Sequence, residues 1–256
     1  MLDTMVTKME IRSEAERLGA KITGFCSVDT WKEHQIQPEE YWPQTILPWA
    51  RSVIVMGIPL YVPMVASTPS MIYQELYNTT NRILDDLAYR MTGFLVERGC
   101  RAMYFPRDGY SGMDALLRDP TAAFSHVLAA YYSGLGTIGD SHNLITPEYG
   151  PRVRIVSVVT DIELEPDPMM TGDLCIHCGR CLKECPAGCF TDDGHPYSMD
   201  MMRCTEHHVG LKRQGHWPCG MCIKVCPVGD DLRPYREIAP ISPRGIEHCE
   251  RKGSLS

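Results

Sequence analysis

The chain has 256 residues, 44% of them hydrophobic and 22% charged, with a net charge of −7. This is the composition of a globular protein with a sizeable core. It excludes a transmembrane helix, which needs about eighteen consecutive apolar residues, and the acidic balance argues against a general nucleic-acid binder.

Taken in order, residues 9–19 read as a helix stopped by Gly19, and 21–28 as a short apolar strand. Residues 31–49, rich in Trp, Pro and Gln, read as an irregular loop. The β-branched run at 51–58 predicts a buried strand, and the Pro-rich stretch 59–69 a loop. From about 70 to 98, Ile72, Leu76, Ile83, Leu84, Leu87, Met91, Phe94 and Leu95 recur at helical spacing, with Gly99 as the cap. A third strand is expected at 101–105, a second helix at 121–132 and a strong strand at 152–160. The fold class is therefore α+β, with a layered α/β unit in the N-terminal part. Residues 163–173, with Pro166 and Pro168, read as a linker. Residues 1–165 form one expected domain and 166–256 a second, with a C-terminal tail.

Gly134, Gly136 and Gly139 match the G-x-G-x-x-G pattern of dinucleotide sites. That pattern needs a strand before it and a helix after it, whereas here a helix precedes and a loop follows. The glycines let backbone approach a large flat ligand closely, or simply turn tightly.

The second domain carries the chemistry. Cys175, Cys178, Cys181 and Cys185-Pro186 form the run C-x2-C-x2-C-x3-C-P. Cys204, Cys219, Cys222 and Cys226-Pro227 form a second, partial run. Three thiolates two residues apart wrap one iron–sulfur cube, and the fourth, before proline, points away to the other cube. One [4Fe-4S] cluster is thus assigned to Cys175, Cys178, Cys181 and Cys226, the other to Cys185, Cys204, Cys219 and Cys222. The competing reading is structural zinc, but paired C-P endings with an x3 gap are not zinc-ribbon spacing. Of the remaining cysteines, Cys26 and Cys100 read as small apolar residues, Cys189 as a spare and Cys249 as part of a polar tail. Unprotected clusters, free thiols and a start without an apolar leader or twin arginine suggest a reducing cytoplasm.

The order Gly134-Leu-Gly-Thr-Ile-Gly139, Leu144-Ile-Thr-Pro-Glu-Tyr-Gly150-Pro-Arg-Val-Arg-Ile, Val159-Thr-Asp161, Leu164-Glu-Pro-Asp167 and then the cysteine runs resembles epoxyqueuosine reductases and the related reductive dehalogenases. The matching block runs from about Ser125 to Asp230. The resemblance implies a nitroreductase-like N-terminal domain that binds cobalamin and a two-cluster ferredoxin-like domain that feeds it electrons. It implies that Gly134, Gly136, Gly139, His142, Asn143 and Leu144 line the corrinoid. Such chemistry requires a proton donor near the substrate, for which Asp119, His126 and Tyr110 are the candidates. Departures are evident. Pro120 stands where that family has an acid, His126 replaces a glutamate, Asp140 replaces a basic residue, and the chain ends without the helical repeat domain that helps hold tRNA.

His207, His208 and His216 are expected to pack over or hydrogen-bond near a cluster. Arg152 and Arg154 share a strand face, and either bind an acidic ligand edge or are ordinary solvated positions. The leading expectation is a cobalamin-dependent reductase that acts on a small molecule or a modified base. Its donor would be a low-potential ferredoxin or flavodoxin type. The alternative is an electron-transfer or activating protein that reduces a partner's corrinoid or metal centre. A third reading keeps the fold but places flavin, or nothing, in the N-terminal domain.

Overall fold

Two β-branched runs and one long amphipathic helix set the frame. A computed structural model describes residues 6–107 and 112–235. Helix α1 (Lys8–Leu18) opens on a reciprocal cap: the Thr7 hydroxyl accepts from the Glu10 amide, and the Glu10 carboxylate accepts from the Thr7 amide at 2.8 Å. Strand β1 (Ile22–Ser27) follows. The segment expected to be loop contains two short helices, α2 (Asp29–His34) and α3 (Pro43–Ile46), the latter started by proline at its first position. Then come β2 (Ser52–Pro59), α4 (Val62–Val65), α5 (Met71–Val96), β3 (Ala102–Phe105) and α6 (Met113–Arg118). Helix α7 (His126–Tyr132) is shorter than the 121–132 expected. The Ser125 hydroxyl accepts from the Leu128 amide and so fixes the start there. Strands β4 (Thr137–Ile138) and β5 (Leu144–Ile145) make a small hairpin before β6 (Val153–Thr160).

The main sheet has the order β1-β2-β6-β3, and every pair is antiparallel. Its two central strands are apolar on both faces because both faces are covered. On one, Ile54, Met56, Val156 and Val158 pack against Leu84, Leu87 and Met91 of α5 and Ile11 of α1. On the other, Val53, Val55 and Val159 pack against Leu128, Ala129 and Tyr132 of α7 with Trp31 and Phe124. Each such aliphatic side chain contributes about 1.5–3 kcal/mol by leaving water.

Beyond residue 172 the chain is built differently. It has α8 (Arg180–Lys183), the hairpin β7 (Phe190–Thr191) and β8 (Ser198–Met199), α9 (Met201–Arg213), α10 (Met221–Lys224) and a 3-10 turn at Asp230–Tyr235. Helix α9, which the sequence reading did not identify, is capped by the Asp200 carboxylate on the Arg203 amide at 3.0 Å. The buried apolar side chains of this segment are few: Cys189, Tyr197, Leu211 and Cys219. Polar ties fasten it to the sheet unit. Arg152, 1% exposed, donates to both Asp231 oxygens at 2.7 Å and to the Cys226 carbonyl at 3.0 Å. Lys224 donates to the Thr68 carbonyl at 2.9 Å, and the Thr68 hydroxyl donates to the Cys219 carbonyl. Arg152 is thus a buried clamp rather than a solvated strand position.

Candidate metal and cofactor site

The two cysteine loops repeat one construction. In Cys178-Gly179-Arg180-Cys181 the glycine takes φ +68 and starts α8; in Cys219-Gly220-Met221-Cys222 the glycine takes φ +67 and starts α10. That backbone conformation is open to glycine at little cost. Helices α8 and α10 pack against each other. Each loop continues into a Cys-Pro pair, Cys185-Pro186 and Cys226-Pro227.

The cysteines fall into two groups around two cavities. Cys175, Cys178, Cys181 and Cys226 line the smaller, which Cys222 also borders. Cys185, Cys204, Cys219 and Cys222 line a cavity of about 340 Å³. Cys226 therefore stands with the first run, and Cys185 with the second. Cys189 lines the larger cavity too, with its sulfur 3.4 Å from that of Cys185. Cys26 is fully buried and Cys100 half-buried in the sheet unit. Cys249 lies outside the described residues.

The donor set suits a cationic metal core. Burial pushes the Cys222 thiol up to about 12, and the Cys181 and Cys204 thiols up to about 11. Neighbouring thiols add to the effect in each case. Thiolates crowded in this way need a compensating positive charge, and an iron–sulfur core displaces the protons when it binds. Helix α9 supplies its residues on one face. Cys204 is followed at i+3 and i+4 by His207 and His208, which line the same cavity. Burial first, then the neighbouring His207, pushes His208 down to about 4, so it is neutral at physiological pH.

A third cavity, of about 290 Å³, lies on the sheet unit between α7, β5 and β6. Phe124, His126, Leu144 and Val153 line it, with the guanidinium groups of Arg107 and Arg154. Asn143, Arg154 and Ile223 border both this cavity and the larger cysteine cavity, so the two share a wall. The Asn143 amide donates to the Cys222 sulfur at 3.4 Å. Ion pairing does not leave the arginines idle: Arg107 approaches Asp85 at 3.4 Å, and Arg154 stacks over the Tyr77 ring at 4.2 Å.

Of the loop residues tied to corrinoid contact by resemblance, Asn143 and Leu144 line the third cavity. Gly134, Gly136 and Gly139 do not. Each faces the protein's own chain: a Cβ on Gly134 would meet the Pro168 carbonyl, one on Gly136 the Ile145 carbonyl, and one on Gly139 the Ile145 side chain. These glycines serve internal packing and the β4–β5 turn. His142 reaches the other way, with its Nε2 2.6 Å from the Tyr197 carbonyl, and borders the cysteine cavity.

The proton-donor candidates separate as clearly. Asp119 sits at the exposed end of α6, away from the third cavity, and the Thr121 backbone amide holds its carboxyl below the usual range. It is therefore ionised, the wrong form for donating. His126 borders the cavity but is engaged at both nitrogens: Nε2 lies 3.1 Å from the Pro106 carbonyl and Nδ1 2.9 Å from the Ser157 hydroxyl. A carbonyl only accepts, so Nε2 carries a proton. Tyr110 lies outside the described residues. Asp140 is buried beside the first cysteine loop, 2.8 Å from His195 and 3.1 Å from His177, and so joins three loops.

Sequence reading missed Tyr73, whose ring lies where a Cβ on Gly220 would project, at 2.5 Å. It also missed Ser157 and Arg107. No local signal marks these residues, because their partners are distant in the chain.

A layered antiparallel sheet unit with a two-loop cysteine module is an architecture shared with known oxidoreductases. No family model matches the chain. It is homologous to reductive dehalogenases and epoxyqueuosine reductases. Over 157 residues it is 30% identical to the tetrachloroethene reductive dehalogenase of Dehalobacter restrictus, a match that covers 60% of this chain and 26% of that protein. Over 74 residues it is 40% identical to the epoxyqueuosine reductase of Listeria monocytogenes, which covers 29% and 19%. The chain thus corresponds to a minor part of these relatives. A reductive dehalogenase structure described with a mechanism for B12-dependent dehalogenation superposes with a TM-score of 0.66 at 21% identity, over 95% of this chain and 35% of that one. An epoxyqueuosine reductase bound to a tRNA stem loop superposes with a TM-score of 0.60 at 21% identity, over 86% and 64%. At these identities the likeness establishes the fold. It also leaves the expectation against nucleic acid, drawn from net charge, without support, since a protein of this fold was solved with RNA in place. Among the described residues no helix is long and apolar enough to cross a membrane.

Proposed function

We propose that the chain is an iron–sulfur oxidoreductase, in which two [4Fe-4S] clusters in the cysteine module deliver single electrons to a redox ligand seated in the third cavity, most simply a corrinoid. The observation that carries this reading is the shared wall: Asn143 donates to Cys222 on one side and lines the cavity on the other. The ligand class comes from the relatives. The cavity suits part of it: an apolar floor of Phe124, Leu144 and Val153 accepts a flat ring, and Arg107 and Arg154 suit an amide-rich or anionic edge. At about 290 Å³ the cavity is small for a ligand site, so a corrinoid would seat one face there and extend beyond it. The sheet unit then acts as a nitroreductase-like cofactor domain and the module as a ferredoxin-like one, with the boundary near residue 166.

Bound clusters would supply low-potential single-electron chemistry. The chain would hold the clusters on the four thiolates of each group, and His126 keeps its Nε2 proton on the Pro106 carbonyl at the cavity edge. Proton supply to a substrate falls to groups other than Asp119. Substrate, electron donor and any RNA partner belong to the same proposal.

Calorimetric titration of anaerobically reconstituted protein with cobalamin tests it. Val127 of α7 borders the cavity, so Val127→Trp fills the space from a helix outside the cysteine module. Binding by the wild type, weakened at least tenfold in Val127→Trp with iron content unchanged, is expected. Wild type that binds no corrinoid would leave electron transfer to a partner's metal centre as the better reading.

A further inference from the structure

Two buried nitrogens beside the second cysteine group, Trp217 Nε1 and His207 Nε2, have no hydrogen-bond partner among the described residues. Folded proteins rarely leave a buried N–H without an acceptor. Both residues line the 340 Å³ cavity together with Cys185, Cys204, Cys219 and Cys222. They arrive from different directions: His207 lies one turn beyond Cys204 on α9, and Trp217 two residues before Cys219. The indole is held in place by the Tyr77 ring, edge-on at 4.7 Å, and by the Lys212 ammonium, 5.8 Å from its ring. An indole nitrogen can only donate, so what is missing is an acceptor. Sulfur is the acceptor chemistry of this cavity, and a third donor already uses it: Asn143 on Cys222, at 3.4 Å.

At the first group, Cys178 is exposed. Neither orphaned nitrogen borders that group.

We propose that Trp217 and His207, with Asn143, are hydrogen-bond donors to the sulfur atoms of a cluster held by Cys185, Cys204, Cys219 and Cys222, and that they raise its potential. This rests on the cluster assignment of the preceding subsection. Hydrogen bonds to cluster sulfur stabilise the charge added on reduction. Bound there, the cluster would accept a single electron from a reduced low-potential donor protein, with no bond made or broken, and the three residues would stabilise the reduced form. The three residues are positioning residues for the cluster and do not touch a substrate.

The test is an EPR-monitored redox titration of the full, anaerobically reconstituted chain, with Trp217→Phe, His207→Leu and His207→Gln beside the wild type. Trp217→Phe and His207→Leu should move one midpoint to more negative potential and leave the other in place. His207→Gln, which restores an N–H, should recover part of the shift. Electron–nuclear double resonance should show exchangeable protons coupled to the cluster whose midpoint the variants move, with one coupling present in the wild type and missing in Trp217→Phe. Unchanged midpoints at full iron content, or no exchangeable proton coupled to that cluster, would overturn the inference. An iron content near four rather than about eight in the wild type would instead remove the cluster assignment itself.

Discussion

The sheet unit and the cysteine module are held together by different physics. From residue 6 to about 168, apolar side chains fill both faces of a four-stranded sheet, and Ile54, Met56, Val156 and Val158 are fully buried. From 172 to 235 the buried apolar side chains are few, two helices are only four residues long, and two of those buried residues are themselves cysteines. A segment of this kind cannot offset its own ordering entropy by burial alone. On the proposed cluster assignment, metal binding contributes that folding free energy, as in small metallodomains. The difference teaches how one chain would carry a self-sufficient scaffold and a metal-dependent one side by side.

The largest expected effect breaks that comparison open. Stripping iron with a chelator should abolish amide protection across residues 175–226 while β2, β6 and α5 keep theirs, as read by hydrogen-exchange mass spectrometry. Equal loss in both regions would mean that the scaffold also depends on the metal.

The clamp between the regions comes next. Arg152→Met leaves Asp231 without its partner and frees the Cys226 carbonyl. Breaking a buried ion pair costs roughly 3–5 kcal/mol, and Asp231 is buried enough to feel much of that. Because Cys226 stands with the first cysteine run, the variant should lose about half its iron, from that group. Arg152→Lys should not rescue it, since a lysine cannot reproduce the forked contact with both oxygens. Iron analysis and thermal melting check both points.

The two loops offer a matched pair. Gly179 and Gly220 share the same left-handed backbone, but a Cβ on Gly179 would have only the Tyr197 hydroxyl at 3.7 Å, whereas one on Gly220 would strike the Tyr73 ring at 2.5 Å. Gly179→Ala should therefore cost only the conformational penalty of about 1–2 kcal/mol. Gly220→Ala should cost more and reduce the iron held by the second group. Equal melting temperatures for the two variants would contradict the contact with α5.

The smallest effect concerns the fifth thiol. Cys189→Ser should leave iron content unchanged, while Cys185→Ser should lose the second cluster. If the first of these variants loses iron, Cys189 rather than its neighbour is the ligand.

Much of this was legible in the sequence, for local reasons. Strands β1, β2 and β6 follow from β-branched runs, and α5 from apolar spacing over seven turns. The helix expected from residue 121 begins only at His126, because the Ser125 cap fixes its start there. Helix α9 was not read because its apolar positions are sparse, though Asp200 was an available cap. The sheet order was not legible, since nothing local tells β6 to insert between β2 and β3. In the site, the cysteine spacing carries the chemistry because each run is contiguous. The glycine loop was read toward a ligand, but Gly134, Gly136 and Gly139 pack against Pro168 and Ile145. Arg152–Asp231, Tyr73–Gly220 and Asn143–Cys222 join residues far apart in the chain, and only the folded structure brings them together.

The most direct test of two clusters held by crossed cysteine groups is iron and acid-labile sulfide analysis of the anaerobically reconstituted wild type beside Cys226→Ser. With four irons in each cluster, the wild type should hold about eight irons and about eight sulfides, and the variant about half, with the loss confined to one EPR signal. About four irons in the wild type, stoichiometric zinc, or a variant that loses both signals together would contradict it.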